Sequence, residues 1–79
     1  MHIREDNLRR LARERIAAGE LPREQQGMMR GMAGHGEPCA LCGAAIQFEE
    51  VERELSGDVQ RRRLRFHRAC HAMWMAESE

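Results

Sequence analysis

Paired cysteine and histidine spacings, a short apolar inventory and a charge-alternating stretch together predict a small α+β zinc-organised domain. The first observation is Cys39-Ala-Leu-Cys42, followed after 24 residues by His67-Arg-Ala-Cys70. Tetrahedral Zn²⁺ takes four N/S donors, and paired spacing lets two short local turns supply two donors each. The second is size: the chain has 79 residues, and its only aromatic residues are Phe48, Phe66 and Trp74. A chain this short buries only about 60% of the surface its unfolded form exposes, so its core alone is marginal. A structural metal would supply the missing stability, because site formation and folding share one free energy. The third is Ile46 to Phe66, which alternates as two strands around Gly57-Asp58.

The N-terminal segment, residues 1–22, reads as an amphipathic helix over 5–18. Leu8, Leu11, Ala12 and Ile16 fall on one stripe at helical spacing. Asp6 or Asn7 is the expected N-cap, Gly19 the residue just past the end, and Pro22 follows. A helix this short does not stand alone, so its stripe must dock. Docking on the zinc module is the expectation; a partner protein or a homodimer seam is the alternative.

Residues 23–38 read as a loop. Gly27, Gly31, Gly34 and Gly36 punctuate it, and Pro38 precedes the first cysteine. Met28, Met29 and Met32 are expected to cover the edge of a small core, with an adaptable contact surface as the alternative.

Residues 39–79 carry the site. A two-residue turn at Gly57-Asp58 would set Glu54 opposite Arg61, Glu52 opposite Arg63 and Glu50 opposite Arg65. The other face would pair Val51 with Leu64, Arg53 with Arg62 and Leu55 with Gln60. That makes one Glu–Arg ladder and one partly apolar face, and a one-residue slip would destroy both. The final helix is expected from Arg68 to about Glu77. His67 and Cys70 would sit at its first turn, where partial positive charge favours a thiolate.

The metal ligands expected are therefore Cys39, Cys42, His67 and Cys70. Every cysteine is used, and an odd number of them does not suit a disulfide framework. His71 neighbours Cys70, so the two side chains diverge; it is expected behind the ligands or at the surface. His35, in the loop, has a weaker claim. Trp74, one turn from Cys70, is expected in the core, roofing the metal.

A zinc knuckle, a β-hairpin and a helix carrying the last two ligands follow in treble-clef order. The pattern Cys39-Ala-Leu-Cys42 … Phe66-His67-Arg-Ala-Cys70 resembles the first zinc-binding half of LIM domains and the zinc fingers of poly(ADP-ribose) polymerases. No second cysteine pair of the LIM kind follows. Over nearly its whole length the chain is also similar to small bacterial Cys3His treble-clef zinc-binding proteins. Leu41, Gly43, Phe66, His67, Cys70, His71 and Trp74 carry that likeness, which implies one structural Zn²⁺ and little more.

Charge and composition narrow the function. Thirteen arginines balance thirteen acidic residues, with no lysine. Zero net charge argues against a dedicated nucleic-acid binder, and the expected ladder neutralises three members of the Arg61–Arg65 run. The N-terminus lacks the apolar stretch of a secretory leader, and no run of about 18 apolar residues exists to span a membrane. Reduced cysteines fit a cytoplasmic setting. Four protein ligands leave zinc no open position, which argues against an enzyme. The expectation is a non-catalytic zinc module that binds another protein, or itself, through the N-terminal helix and the Met-rich loop. A nucleic-acid-binding finger ranks second.

Overall fold

The structure is a computed structural model and describes residues 4–22, 28–56 and 63–78. Its elements run α1 (Glu5–Ala17), β1 (Met28–Ala33), β2 (Val51–Ser56), β3 (Leu64–His67) and α2 (Arg68–Glu77).

α1 starts earlier than its polar residues suggest. Arg4 occupies the N-cap without a side-chain bond, so neither Asp6 nor Asn7 caps the helix. Glu5 and Asp6 lie instead within the first turn, where carboxylates offset the helix dipole. The end follows expectation. Gly19 has φ 78°; its N–H donates to Ile16 C=O at 3.1 Å, and Glu20 N–H donates to Arg15 C=O at 2.9 Å. This is a Schellman closure, which needs a left-handed residue that glycine adopts without strain. Leu8, Ala12 and Ile16 are buried and Leu11 is half-buried. α1 packs against α2, with Arg9 and Arg13 both paired to Glu77. The apolar stripe is thus satisfied within the chain.

The three strands form one antiparallel sheet in the order β1-β2-β3. The loop expected over 23–38 is corrected in part, because Met28–Ala33 is a strand pairing Met28↔Ser56 through Ala33↔Val51. One glycine, three methionines, an arginine and an alanine give no period-2 signal there. The strand arises because β2 has a second edge whose amides need partners. Met29 packs against the core, the role expected for this segment's methionines.

The hairpin register also differs. Glu54 faces Arg65, Glu52 faces His67, Arg53 faces Phe66 and Leu55 faces Leu64. Against the expected pairing this is a shift of four residues. An even shift leaves every side chain on its face, so alternation alone cannot detect it. It replaces the like-charged Arg53–Arg62 pair with Arg53–Phe66 and sets Leu55 over Leu64. Arg65 consequently lies 3.5 Å from Glu52 and 3.6 Å from Glu54, rather than beside Glu50. The Gly57-Asp58 turn, Arg61 and Arg62 fall outside the described residues.

Leu55, Leu64 and Phe66 share the inner face of the sheet and join Met73 and Trp74 of α2 in the core. The Trp74 ring stacks on Phe66, with centroids 4.9 Å apart and planes 11° from parallel. Its indole N–H donates to Pro22 C=O at 2.9 Å, so the ring is both packed and satisfied. Leu21, Leu41 and Ile46 complete the core between α1 and the knuckle.

Candidate metal centre

The first ligand pair is shaped by backbone bonds. Cys39 N–H donates to Ala44 C=O and Gly43 N–H to Cys39 C=O, both at 2.9 Å, which closes a tight turn around Ala40-Leu-Cys42. Gly43 has φ 79°, the left-handed geometry this reversal needs. Leu41 N–H points at Cys39 Sγ, 3.4 Å away, and stabilises negative charge there. The knuckle is fastened from two sides. Ala40 N–H donates to Arg65 C=O at 2.6 Å, and Arg15 of α1 donates to Leu41 C=O at 2.7 Å.

The second pair lies where β3 becomes α2. His67 is the N-cap with extended backbone and makes no side-chain cap bond, which leaves its ring available. Cys70 lies in the first helical turn, near the positive end of the helix dipole. Because the knuckle is anchored on Arg65, two residues before His67, the two pairs meet.

One ligand atom from each of Cys39, Cys42, His67 and Cys70 lies within 4.8 Å of the others, so the four could hold a metal ion. His67 Nδ1 is 3.4 Å from Cys42 Sγ and 3.8 Å from Cys70 Sγ. The other ring nitrogen, Nε2, is 3.3 Å from Ala45 C=O and 3.6 Å from a Glu50 carboxylate oxygen. With Nε2 the donor to these oxygens, the Nδ1 lone pair faces the sulfurs. Glu50 is itself held, accepting from Gln47 N–H at 2.8 Å.

Cys39 and Cys70 are buried, and all three cysteines are free thiols. The Cys39 thiol is shifted down, first because Cys70 hydrogen-bonds to its thiolate, with burial opposing. The Cys70 thiol is shifted up, chiefly by that same bond to Cys39 and then by burial. The Cys42 thiol is raised chiefly by burial. One thiolate is thus favoured among three crowded sulfurs, and further ionisation calls for a cation between them.

The other histidines stand elsewhere. His71 lies outside the cluster, half-buried, with its ring centroid 6.0 Å from both Phe66 and Trp74. Burial, and then the charge of Arg53, lower its pKa. His35 Nδ1 lies 3.5 Å from Glu52. Three residues of the centre's surroundings escaped the sequence reading: Glu50 and Ala45, which orient His67, and Arg15, which holds the knuckle. The four-residue register error hid Glu50, because Arg65 was its expected partner. The Arg15 contact joins segments 26 residues apart and leaves no local signal.

Among the described residues no helix is long and apolar enough to cross a membrane. The chain matches no family model, no curated protein and no solved structure, so the reading of this centre rests on its own geometry.

Proposed function

We propose that the chain is a non-catalytic module organised by one structural Zn²⁺ and built to bind another protein. The convergence of three sulfurs and one imidazole nitrogen carries the reading. Zn–S bonds near 2.3 Å and Zn–N bonds near 2.05 Å imply a tetrahedral S···N edge of about 3.6 Å. The two S···N separations, 3.4 and 3.8 Å, bracket that edge. A thiolate-rich tetrahedral set suits zinc over the harder cations. Knuckle, β2-β3 hairpin and α2 follow one another in treble-clef order. Four protein donors fill the sphere and leave no position for a reacting water, which favours a structural role over catalysis.

The protein-binding half rests on surface composition. Phe48 is 79% exposed, and Val51 and Met75 are each 45% exposed. Nucleic acid is the second reading, by analogy with the polymerase fingers. It is disfavoured because Arg65 is matched by Glu52 and Glu54, and because net charge is zero. Each phosphate neutralised by a basic side chain contributes about 0.9 to the salt slope of duplex binding.

Metal analysis of protein purified under reducing conditions tests the zinc assignment. About one equivalent per chain is expected; less than about half would sink it. Titration of labelled single- and double-stranded DNA and RNA tests the ranking. Sub-micromolar binding at near-physiological salt would promote the nucleic-acid reading.

A further inference from the structure

The two outer edges of the sheet are treated differently. At β3, Ala40 N–H closes on Arg65 C=O, so the knuckle covers that edge. At β1, Gly34 N–H donates to Glu50 C=O at 3.0 Å, extending the ladder by one pair. Antiparallel ladders alternate, so residues 28, 30, 32 and 34 bond to β2. The N–H and C=O groups of Met29, Gly31 and Ala33 therefore face away from β2. Among the described residues no backbone bond meets them, and β2 is the one element that packs on β1. Gly31 and Ala33 are exposed. Proteins usually blunt such an edge with proline, lysine, a bulge or a covering segment. Met28–Ala33 has no proline or lysine, its register runs without a bulge, and its one charge is Arg30.

We propose that a second copy of this chain docks on β1, pairing strand to strand about a two-fold axis to give a six-stranded sheet. The proposal rests on the protein-binding reading and names its partner. A two-fold axis normal to the sheet pairs residues of equal parity. Centred on Gly31, it sets Gly31 against the partner's Gly31, Met29 against the partner's Ala33, and Arg30 against the partner's Met32. All three outward-facing residues of each strand then form hydrogen-bonded pairs. Centring on Arg30 would instead oppose two guanidinium groups in a close pair, with Cα atoms about 4.5 Å apart.

The apolar side chains favour the same centre, set against the Arg53 guanidinium that lies over Gly31 and is brought toward its copy by the axis. Ala33 lies beside half-exposed Val51, and Met29 lies beside buried Leu55, all on one sheet face. The two-fold axis aligns Val51, Ala33, the partner's Met29 and the partner's Leu55 in one apolar row. Each copy supplies both halves of the row, which favours a self-partner over an unrelated extended peptide. A single strand pair buries little, so the dimer belongs among weak interfaces, below about 1,200 Å².

Sedimentation of the zinc-loaded full chain from about 10 μM to about 1 mM tests this. The expected result is a concentration-dependent dimer in which the amides of Met29, Gly31 and Ala33 gain at least about tenfold protection from hydrogen exchange. Ala33→Lys places a charge in the apolar row; Ala33→Pro deletes an outward N–H that β2 does not use. Both should raise the dissociation constant by at least about tenfold, with zinc content and circular dichroism unchanged. A monomer at about 1 mM, protection at other amides, or a dimer indifferent to both variants would overturn the pairing. A chain that holds one zinc yet stays monomeric loses this proposal alone and leaves the zinc-module reading standing.

Discussion

On one face of the sheet, Leu55, Leu64 and Phe66 lie in a single cluster with Met73 and Trp74 of α2. On the other, Glu52 and Glu54 are buried beside Arg65, with His35 3.5 Å from Glu52. Leu55, Leu64, Phe66 and the carboxylates of Glu52 and Glu54 are all withdrawn from water, but by different chemistry. The apolar face gains from every methylene it hides and from ring stacking. The charged face must desolvate carboxylates whose compensation is incomplete. Among the described residues, neither Glu52 oxygen has a hydrogen-bond partner, although both lie within ion-pair reach of Arg65 or His35. Burial therefore does not rank these residues by energetic worth: Glu52 and Trp74 are equally inaccessible, yet their removal should have unlike consequences.

The largest effect should come from the centre that joins the two faces, where His67 continues the charged side of β3 and Cys70 anchors α2. Cys42→Ser should abolish stoichiometric zinc and unfold residues 39–77, because structural-zinc binding carries about 10 kcal/mol of folding free energy. Metal analysis with circular dichroism checks it; His71→Ala should keep its metal. Equal zinc loss in both variants would mean that His71 is a ligand.

On the apolar face, Trp74→Ala should cost about 3–5 kcal/mol, the range for deleting a buried large aromatic residue. It also orphans Pro22 C=O. On the charged face, Glu52→Met should change stability by less than about 1.5 kcal/mol in either direction, since Arg65 keeps Glu54 and the orphan oxygens disappear. Denaturant titrations of the zinc-loaded variants measure the contrast. A Glu52→Met cost matching that of Trp74→Ala would erase the distinction between the faces.

The smallest effect concerns His71, which borders Phe66 and Trp74. Burial, reinforced by Arg53, places its folded pKa below the unfolded value near 6.5. The folded chain then binds fewer protons than the unfolded chain just below pH 6.5, so stability falls as pH drops through that window. His71→Phe removes this proton. The stability difference between variant and parent, both zinc-loaded, should move in the variant's favour on acidification. A difference independent of pH between 5 and 7 would place His71 in water.

Some of these features were legible in the chain and others were not. The α1 stripe, the α2 limits at Arg68 and Glu77, and the grouping of Cys39 with Cys42 and of His67 with Cys70 follow from spacings within a few residues, where helix and turn geometry leave little freedom. The division of β2 and β3 into a charged and an apolar face was equally readable, because parity survives any even shift. The register itself was not, since two pairings four residues apart satisfy the same alternation.

The sequence by itself thus determined the two ligand pairs and which side of each strand its residues occupy, because these are consequences of local spacing and periodicity; the meeting of the pairs is tertiary. The tertiary structure alone decided which strand lies beside β2, which rung faces which, and which groups support His67. Those choices join residues 9 to 28 positions apart, and their energies depend on packing Leu55 over Leu64, seating Arg53 against Phe66 and filling the second edge of β2. No window of the chain encodes such terms, because each exists only when distant surfaces meet.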